Sequence, residues 1–228
     1  MSPSIAAIVP MRHASERVPG KNYRPLAGRP LYQHIVSTLL ECPSISLVVI
    51  DTDSEVIMED AARAFPSVTV LERPAHLRDG ATPMNDVLLH DMDRVEADLY
   101  LQTHSTNPLL AGTTIERAIA TFLDSPVNDS LFGVTRLQTR LWRPDGSAIN
   151  HDPAVLLRTQ DLPPVYEENS CIYLFAAEVL RRTGRRIGER PLLFEVPREE
   201  ALDIDEEVDW QVVDCLAARR HAESRQSQ

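Results

Sequence analysis

Apolar residues in this chain fall into short unbroken runs, and the segments between them carry apolar positions at helical spacing. Ile5-Ala6-Ala7-Ile8-Val9 is the first run, as expected of a strand covered on both faces, and Pro10 ends it. A loop punctuated by glycine and proline follows. Pro30 then suits the first turn of a helix in which Leu31, Ile35, Leu39 and Leu40 recur at helical spacing. Ser46 to Ile50 reads as a second buried strand, stopped by Asp51-Thr52-Asp53-Ser54, where Asp53 or Ser54 can cap a helix running to about Phe65. Val68 to Leu71 is a third strand. A helix from about Pro83 to Val95 leads to a fourth strand, Leu99 to Gln102, and a polar loop, Thr103 to Pro108.

This repeated alternation of strand and helix with short connections predicts right-handed βαβ units. The fold class is therefore α/β, a doubly wound and mostly parallel sheet that binds ligands at the carboxyl ends of its strands. After a helix near Thr113 to Leu123 the pattern changes. Leu131 to Thr135 is a strand, but residues 136–168 are irregular, rich in proline and mixed in charge, and read as an insertion that closes over the site or pairs subunits. Ile172 to Phe175 and Leu192 to Val196 are further strands. Glu206 to Arg220 is a closing helix with a polar tail, Asp205 being a candidate cap. One domain over residues 1–228 is expected, since a chain of this length buries roughly 70% of its unfolded surface.

Composition narrows the partners. Hydrophobic content of 43% with 25% charged residues is ordinary for a soluble domain. No apolar run approaches the roughly 18 residues that span a bilayer, and the first residues lack a basic n-region, so a cytoplasmic protein with no membrane partner is expected. The three cysteines have no C-x-x-C spacing, which argues against a disulfide framework and a structural zinc site. A net charge of −11 disfavours a nucleic-acid polymer. Residues 1–40 nevertheless hold five basic groups, Arg12, Arg17, Lys21, Arg24 and Arg29, against Glu16 alone, a local balance that draws an anionic small molecule.

Lys21 is the single lysine among twenty-three basic residues. A compact ammonium suits a point contact to a phosphate oxygen, whereas the arginine fork wants a bidentate partner. With Arg12, Ser15 and the loop amides it forms either a triphosphate cradle or a solvated basic turn. The stretch is not a Walker A loop, because Gly20-Lys21 lacks both the leading glycine and the following Ser or Thr, and no G-x-G-x-x-G is present. In Asp203-Ile204-Asp205, residues two apart in an extended segment share a side, so two carboxylates can converge on one hard cation while Ile204 turns inward. Glu206 and Glu207 suit the positive end of the last helix in any case. Gln102, Ser105 and Asn107 at the end of the fourth strand, and the segment Arg158 to Asn169, are either substrate-reading groups or ordinary polar loops.

Taken in order, these segments resemble the acylneuraminate cytidylyltransferases, which make CMP-sialic acid and related CMP-sugar acids. The family opening P-A-R-G-G-S-K-x-I-P-x-K-N-x-x-x-L-x-G-x-P-L is met by Pro10, Arg12, Ser15, Pro19, Lys21, Asn22, Leu26, Gly28, Pro30 and Leu31. S-T-D is met by Asp51-Thr52-Asp53, and L-L-Q-P-T-S-P-L, with one extra residue, by Leu101 to Leu109. R-x-Q-D-L-P and E-N-G-x-I-Y resemble Arg158 to Pro163 and Glu168 to Tyr173, and D-I-D-T-x-x-D resembles Asp203 to Asp209. Two departures stand out. Met11-Arg12-His13-Ala14 replaces A-R-G-G in a manner similar to the 3-deoxy-manno-octulosonate cytidylyltransferases. Glu167 and Glu168 stand where some bacterial sialic acid enzymes place an arginine for the substrate carboxylate.

The resemblance implies a nucleotidyltransferase fold of the GT-A-like Rossmannoid kind and an Mg²⁺-dependent transfer of CMP from CTP to a small acidic acceptor. Arg12, Ser15, Lys21 and Asn22 would bind CTP, and Arg73 would lie near the base. Asp203 and Asp205 would hold Mg²⁺, while Gln102, Arg158, Glu168 and Asn169 would face the sugar acid. Arg12, Lys21 and the two aspartates would carry the chemistry, in a homodimer. Alternatives are transfer to an octulosonate, a phosphonate or a sugar phosphate, a glycosyltransferase of related fold, and a nucleotide-binding protein without turnover.

Overall fold

The computed structural model describes residues 2–226. In chain order the strands are β1 (Ile5–Met11), β2 (Pro25–Leu26), β3 (Arg29–Pro30), β4 (Leu47–Thr52), β5 (Thr69–Glu72), β6 (Leu99–Gln102), β7 (Ser130–Leu137), β8 (Val165–Ala176) and β9 (Pro191–Glu195). The helices are α1 (Leu31–Leu40), α2 (Glu55–Ala64), α3 (Met84–Met92), α4 (Gly112–Leu123), α5 (Ala177–Thr183) and α6 (Glu207–Gln226). Seven strands make one sheet in the order β5-β4-β1-β6-β8-β7-β9, and β2 with β3 forms a separate hairpin. β1 is parallel to β4 and β6, β4 to β5, and β7 to β9, whereas β8 runs antiparallel between β6 and β7. This is the expected mostly parallel α/β sheet. No helix among the described residues is long and apolar enough to cross a membrane.

Strand periodicity explains the two-sided cover. All seven residues of β1 are buried. Ile5, Ala7, Val9 and Met11 join one apolar cluster with Ile35 and Leu39 of α1, Ile57 of α2 and Ile115 of α4. Ala6 and Ile8 point the other way and meet Leu88 and Met92 of α3 and Leu180 of α5. A third cluster lies at the carboxyl edge: Val18, Leu26 and Leu31 pack with Ile204 and with Trp210 and Val213 of α6.

Three local features depart from the sequence reading. β7 and β8 extend into the segment expected to be irregular from 136 to 168, so only residues 138–164 lie outside strands, with a short 3₁₀ turn at Thr159–Asp161. α5 was not expected, because only Val179 and Leu180 of its seven residues are buried and no apolar period announces it. Asp205 does not cap α6. The Asp209 carboxylate reaches back instead, accepting the Glu206 and Asp205 backbone N–H groups at 2.7 and 3.0 Å. At the start of α2, by contrast, the Ser54 hydroxyl accepts from the Ile57 N–H, one of the two expected caps.

The pairing of β7 with β8 shifts register between Phe132 and Val134, and the extra residues of β8 include Ser170 in the left-handed region at φ 59°. Asn169 braces this bulge, donating from Nδ2 to Thr135 Oγ1 at 3.1 Å and accepting the Cys171 N–H at 3.2 Å. Gly133 gives it room, since a Cβ there would stand 2.7 Å from Asn169 Oδ1. Gly133→Ala is therefore expected to destabilise the fold by about 1–3 kcal/mol through overpacking, read as a lower urea midpoint at unchanged slope; an unshifted midpoint would show that the bulge yields freely.

Candidate active site

The loop after β1 is set by a tight turn. Gly20 has φ 65°, and a Cβ on it would lie 2.9 Å from the Tyr23 ring, so glycine alone fits without displacement. The turn aims Lys21 at the segment before α6. Its ammonium donates to the Ile204 carbonyl at 2.7 Å and lies 3.7 Å from Asp205 Oδ1, with 12% of the side chain exposed. Arg17 reaches the same carboxylate at 2.7 Å. Arg24 forks onto Glu207 at 2.7 and 2.8 Å while lying over Trp210.

Polar contacts fix the rest of the loop. Buried Asn22 donates to the Arg12 carbonyl and accepts from the Ser105 hydroxyl, each at 2.7 Å. The His13 N–H donates to Asp53 at 2.6 Å, and its ring meets the Ser54 hydroxyl at 2.8 Å, which ties the loop to the end of β4. The Arg12 guanidinium lies over Gly80, where a Cβ would come within 2.8 Å of Nη1. The result is a cleft of about 400 Å³ whose walls include Arg12, Ser15, Lys21, Asn22, Arg73 and His104.

Opposite Lys21, the aspartate segment is strapped to the loop after β6: the Ile204 N–H donates to the Thr106 carbonyl at 3.0 Å, and Asn107 donates to the Leu202 carbonyl at 3.3 Å. Ile204 is fully buried, as strand-like alternation requires. Asp203 Oδ1 is sealed from solvent without a hydrogen-bond partner. Burial, then the neighbouring Asp205 charge, pushes the Asp203 carboxyl above the usual range, against the pull of Thr106 and Lys21. Two carboxylates side by side, one with an unmatched oxygen, form a donor set suited to a hard divalent cation.

Arg73 is buried against Asp51 in an ion pair at the cleft wall. Asp51, His90 and Asp91 also place ligand atoms within 4.8 Å of one another, the only such trio among the described residues. Arg73 supplies the positive charge this trio needs. Burial pushes both carboxyls up, and Arg73 offsets it for Asp51; Asp91, facing the Asp51 charge, is pushed up to about 8 and keeps a proton to share with Asp51. The trio is thus a closed buffer behind Arg73.

Of the four residues expected at the acceptor, Gln102 and Glu168 meet around Arg186 and Tyr173, whereas Asn169 and Arg158 are engaged elsewhere. Gln102 is fully buried, and its Oε1 accepts from Arg186 Nη1 at 2.5 Å. Glu168 accepts from the Tyr173 hydroxyl. Asn169 is engaged in the bulge. Arg158, 73% exposed and forked onto Asp161 at 2.7 and 3.0 Å, lies outside the cleft lining. Two unexpected residues stand here instead. His104 lies in the loop after β6; burial, then the charges of Arg186 and Lys21, pushes its imidazole down to about 4, so it is neutral. Arg186 belongs to Arg181-Arg182-Thr183-Gly184-Arg185-Arg186, a basic cluster in an acidic chain that is visible in the sequence.

A family profile described as Cytidylyltransferase matches residues 6–199. The chain belongs to the cytidylyltransferase family. It is 28% identical to the CMP-N,N'-diacetyllegionaminic acid synthase of Legionella pneumophila subsp. pneumophila, over 93% of this chain and 95% of that protein. It is 26% identical to N-acylneuraminate cytidylyltransferase A of Danio rerio, over 94% of this chain but 51% of that protein, about half its length. The 3-deoxy-manno-octulosonate cytidylyltransferase of Escherichia coli is 29% identical over 52% of this chain and 46% of its own. Among solved structures, CMP:2-keto-3-deoxy-manno-octonic acid synthetase complexed with CTP shares the fold at a TM-score of 0.71 and 19% identity, covering 95% of this chain and 99% of that one. A 4-diphosphocytidyl-2C-methyl-D-erythritol synthase does so at 0.70 and 15%, with the same coverage.

In this member of the family the Asp91 proton has a measurable consequence. Its carboxyl titrates at about 8 folded and at about 3.9 unfolded. The folded state therefore binds the extra proton, and the stability this carries is lost as pH rises through the folded value. Asp91→Asn keeps a neutral hydrogen-bonding group at every pH, so its urea midpoint is expected to fall less than that of the parent between pH 5 and pH 9. Parallel pH profiles would show that Asp91 holds no proton.

Proposed function

We propose that the protein transfers CMP from CTP to a sugar acid and releases pyrophosphate. One observation carries this reading: Lys21, which lines the cleft beyond the carboxyl ends of β1 and β6, donates to the carbonyl between Asp203 and Asp205 and lies 3.7 Å from the Asp205 carboxylate, so cationic and anionic groups meet at one edge of that cleft. A metal-bound triphosphate needs both signs of charge within one site. The relatives support the acceptor class, since their names carry N-acylneuraminate, N,N'-diacetyllegionaminic acid and 3-deoxy-manno-octulosonate, all sugar acids.

The reacting bond change is simple. The oxygen of an acceptor hydroxyl forms a bond to the α-phosphorus of CTP and gives up its proton to solvent, the bond from that phosphorus to the bridging oxygen breaks, and pyrophosphate leaves with the bridging oxygen. The chain's work is positioning and charge stabilisation. Lys21 and Arg12 hold the triphosphate oxygens, Ser15 and the loop amides add neutral donors, and Asn22 with Ser105 keeps the loop in shape. Arg73, immobilised by Asp51, faces the base. Asp203 and Asp205 would hold Mg²⁺, which when bound neutralises charge on the phosphates.

The same reading extends to assembly. The segment between β7 and β8 leaves Trp142 half exposed and Leu156 91% exposed, an apolar surface for a second copy in a homodimer. The chemistry is tested by pyrophosphate release from CTP with each of the three sugar acids. Lys21→Ala is expected to lower kcat/KM on the order of 100-fold, as when a preorganised charge-stabilising donor is lost, and Asp203→Asn comparably, both at an unchanged thermal midpoint. Near-parental pyrophosphate release from Lys21→Ala would remove that residue from the mechanism.

A further inference from the structure

Arg186 is a partly buried basic side chain of the site region with no carboxylate in contact. Its guanidinium lies flat over the Tyr173 ring at 3.6 Å, and Nη1 is held by Gln102, which cannot itself swing because it is buried at the end of β6. Its backbone N–H is tied to Asn85 at the start of α3 at 3.3 Å. Among the described residues it makes no ion pair, whereas nearby Arg181 and Arg182, far more exposed, pair with Asp93 and Glu189 at 3.2 and 2.9 Å. Glu168 acts on it only from a distance, its carboxylate being occupied by the Tyr173 hydroxyl. Exposed arginines need no partner, but an arginine removed from water without a counter-ion is costly, and the cost is recovered when an anion docks.

The surroundings say which anion. Arg186 walls a hollow of about 330 Å³ with Met84, Asn85, Glu168, Arg185 and Ile187. That size suits a small ligand. Met84 also lines the larger cleft, so the two spaces adjoin. Arg186 is bonded to Gln102 at the end of β6, two residues before His104 of the larger cleft, which sets the hollow beside that cleft. The hollow is therefore where the acceptor sits while its hydroxyl faces the α-phosphate.

We infer that Arg186, laid on Tyr173 and held by Gln102, binds the carboxylate of the acceptor through its free donor edge. This assignment rests on the functional reading above. It supplies the carboxylate anchor that Glu167 and Glu168 cannot, and leaves Glu168 to accept from acceptor hydroxyls. Arginine's planar fork matches a carboxylate in two parallel hydrogen bonds, which lysine cannot reproduce.

The test compares the parent with Arg186→Ala and Arg186→Lys, using N-acetylneuraminate, 3-deoxy-manno-octulosonate and N,N'-diacetyllegionaminate, and the methyl ester of each. Pyrophosphate release gives KM for CTP and for the acid. Equilibrium binding of acid and ester is measured with an α,β-methylene analogue of CTP in the nucleotide cleft. The expected result is an acceptor KM and Kd raised on the order of 10-fold or more in Arg186→Ala, as for a lost charge-assisted hydrogen bond, and less in Arg186→Lys. CTP KM stays within about twofold, which also reports an intact fold, and the ester binds all three proteins equally poorly. Turnover by the parent with the same acceptor KM in both variants, or an ester that binds the parent as well as its acid, would overturn the assignment alone. A parent that neither binds nor turns over any acid would overturn the functional reading and this assignment with it.

Discussion

The site exists because a small apolar cluster pulls together two segments more than 180 residues apart. Val18, Leu26 and Ile204 are fully buried in one cluster with Leu31 and Trp210. Burying side chains of this size stabilises by about 1.5–3 kcal/mol each, enough to fix the approach of the loop after β1 to the segment before α6. Once Val18 and Ile204 face inward, the polar neighbours have little choice. Lys21 lands against the Ile204 carbonyl, and Asp203 and Asp205, two apart on an extended segment, flank the same space. Asp209 sharpens the arrangement by holding the Asp205 and Glu206 N–H groups, so the segment cannot unwind into the helix it precedes.

Charge in the cleft is graded by how far each cation is already neutralised. Arg73 is matched by Asp51 inside the protein and is immobile. Lys21 is shared between a carbonyl and a carboxylate at 3.7 Å, a distance short enough to orient the ammonium and long enough to leave its charge available to a phosphate. Arg186 has a ring and an amide but no carboxylate. In a chain of net charge −11 such groups must be assembled deliberately, because the surrounding field otherwise repels an anion.

Much of this was legible in residue patterns, and what was not has physical causes. The unbroken run Ile5 to Val9 requires cover on both faces, which the two clusters on either side of β1 provide. The single lysine beside Gly20 marked the turn, and the Asp203-Ile204-Asp205 alternation gave the orientation of its side chains. β8 was cut short because its bulge, with Ser170 at φ 59° and polar Asn169 turned inward, breaks the period of two on which strand reading depends. α5 was missed because seven residues offer less than two helical periods to detect. Gln102 was read as a substrate contact because amide side chains at strand ends often are. Only the fold reveals that a partly buried arginine from beyond β8 donates to its Oε1.

That last difference separates the two ends of the cleft. At the nucleotide end the groups come from the first loop and from the segment before α6, and most are fixed by neighbours adjacent in the fold: Asn22 by Arg12 and Ser105, Asp53 by His13. At the far end, Arg186 depends on a tyrosine of β8, a glutamine of β6 and an asparagine of α3. A substitution in any of those three elements re-aims the fork without touching the loop that holds Lys21. On the proposed function, the contacts that hold the nucleotide are thus separate from those that select the acceptor. On that proposal a lineage can change its acceptor at the β8 and α5 edge while the triphosphate site stays where the Val18–Ile204 cluster puts it.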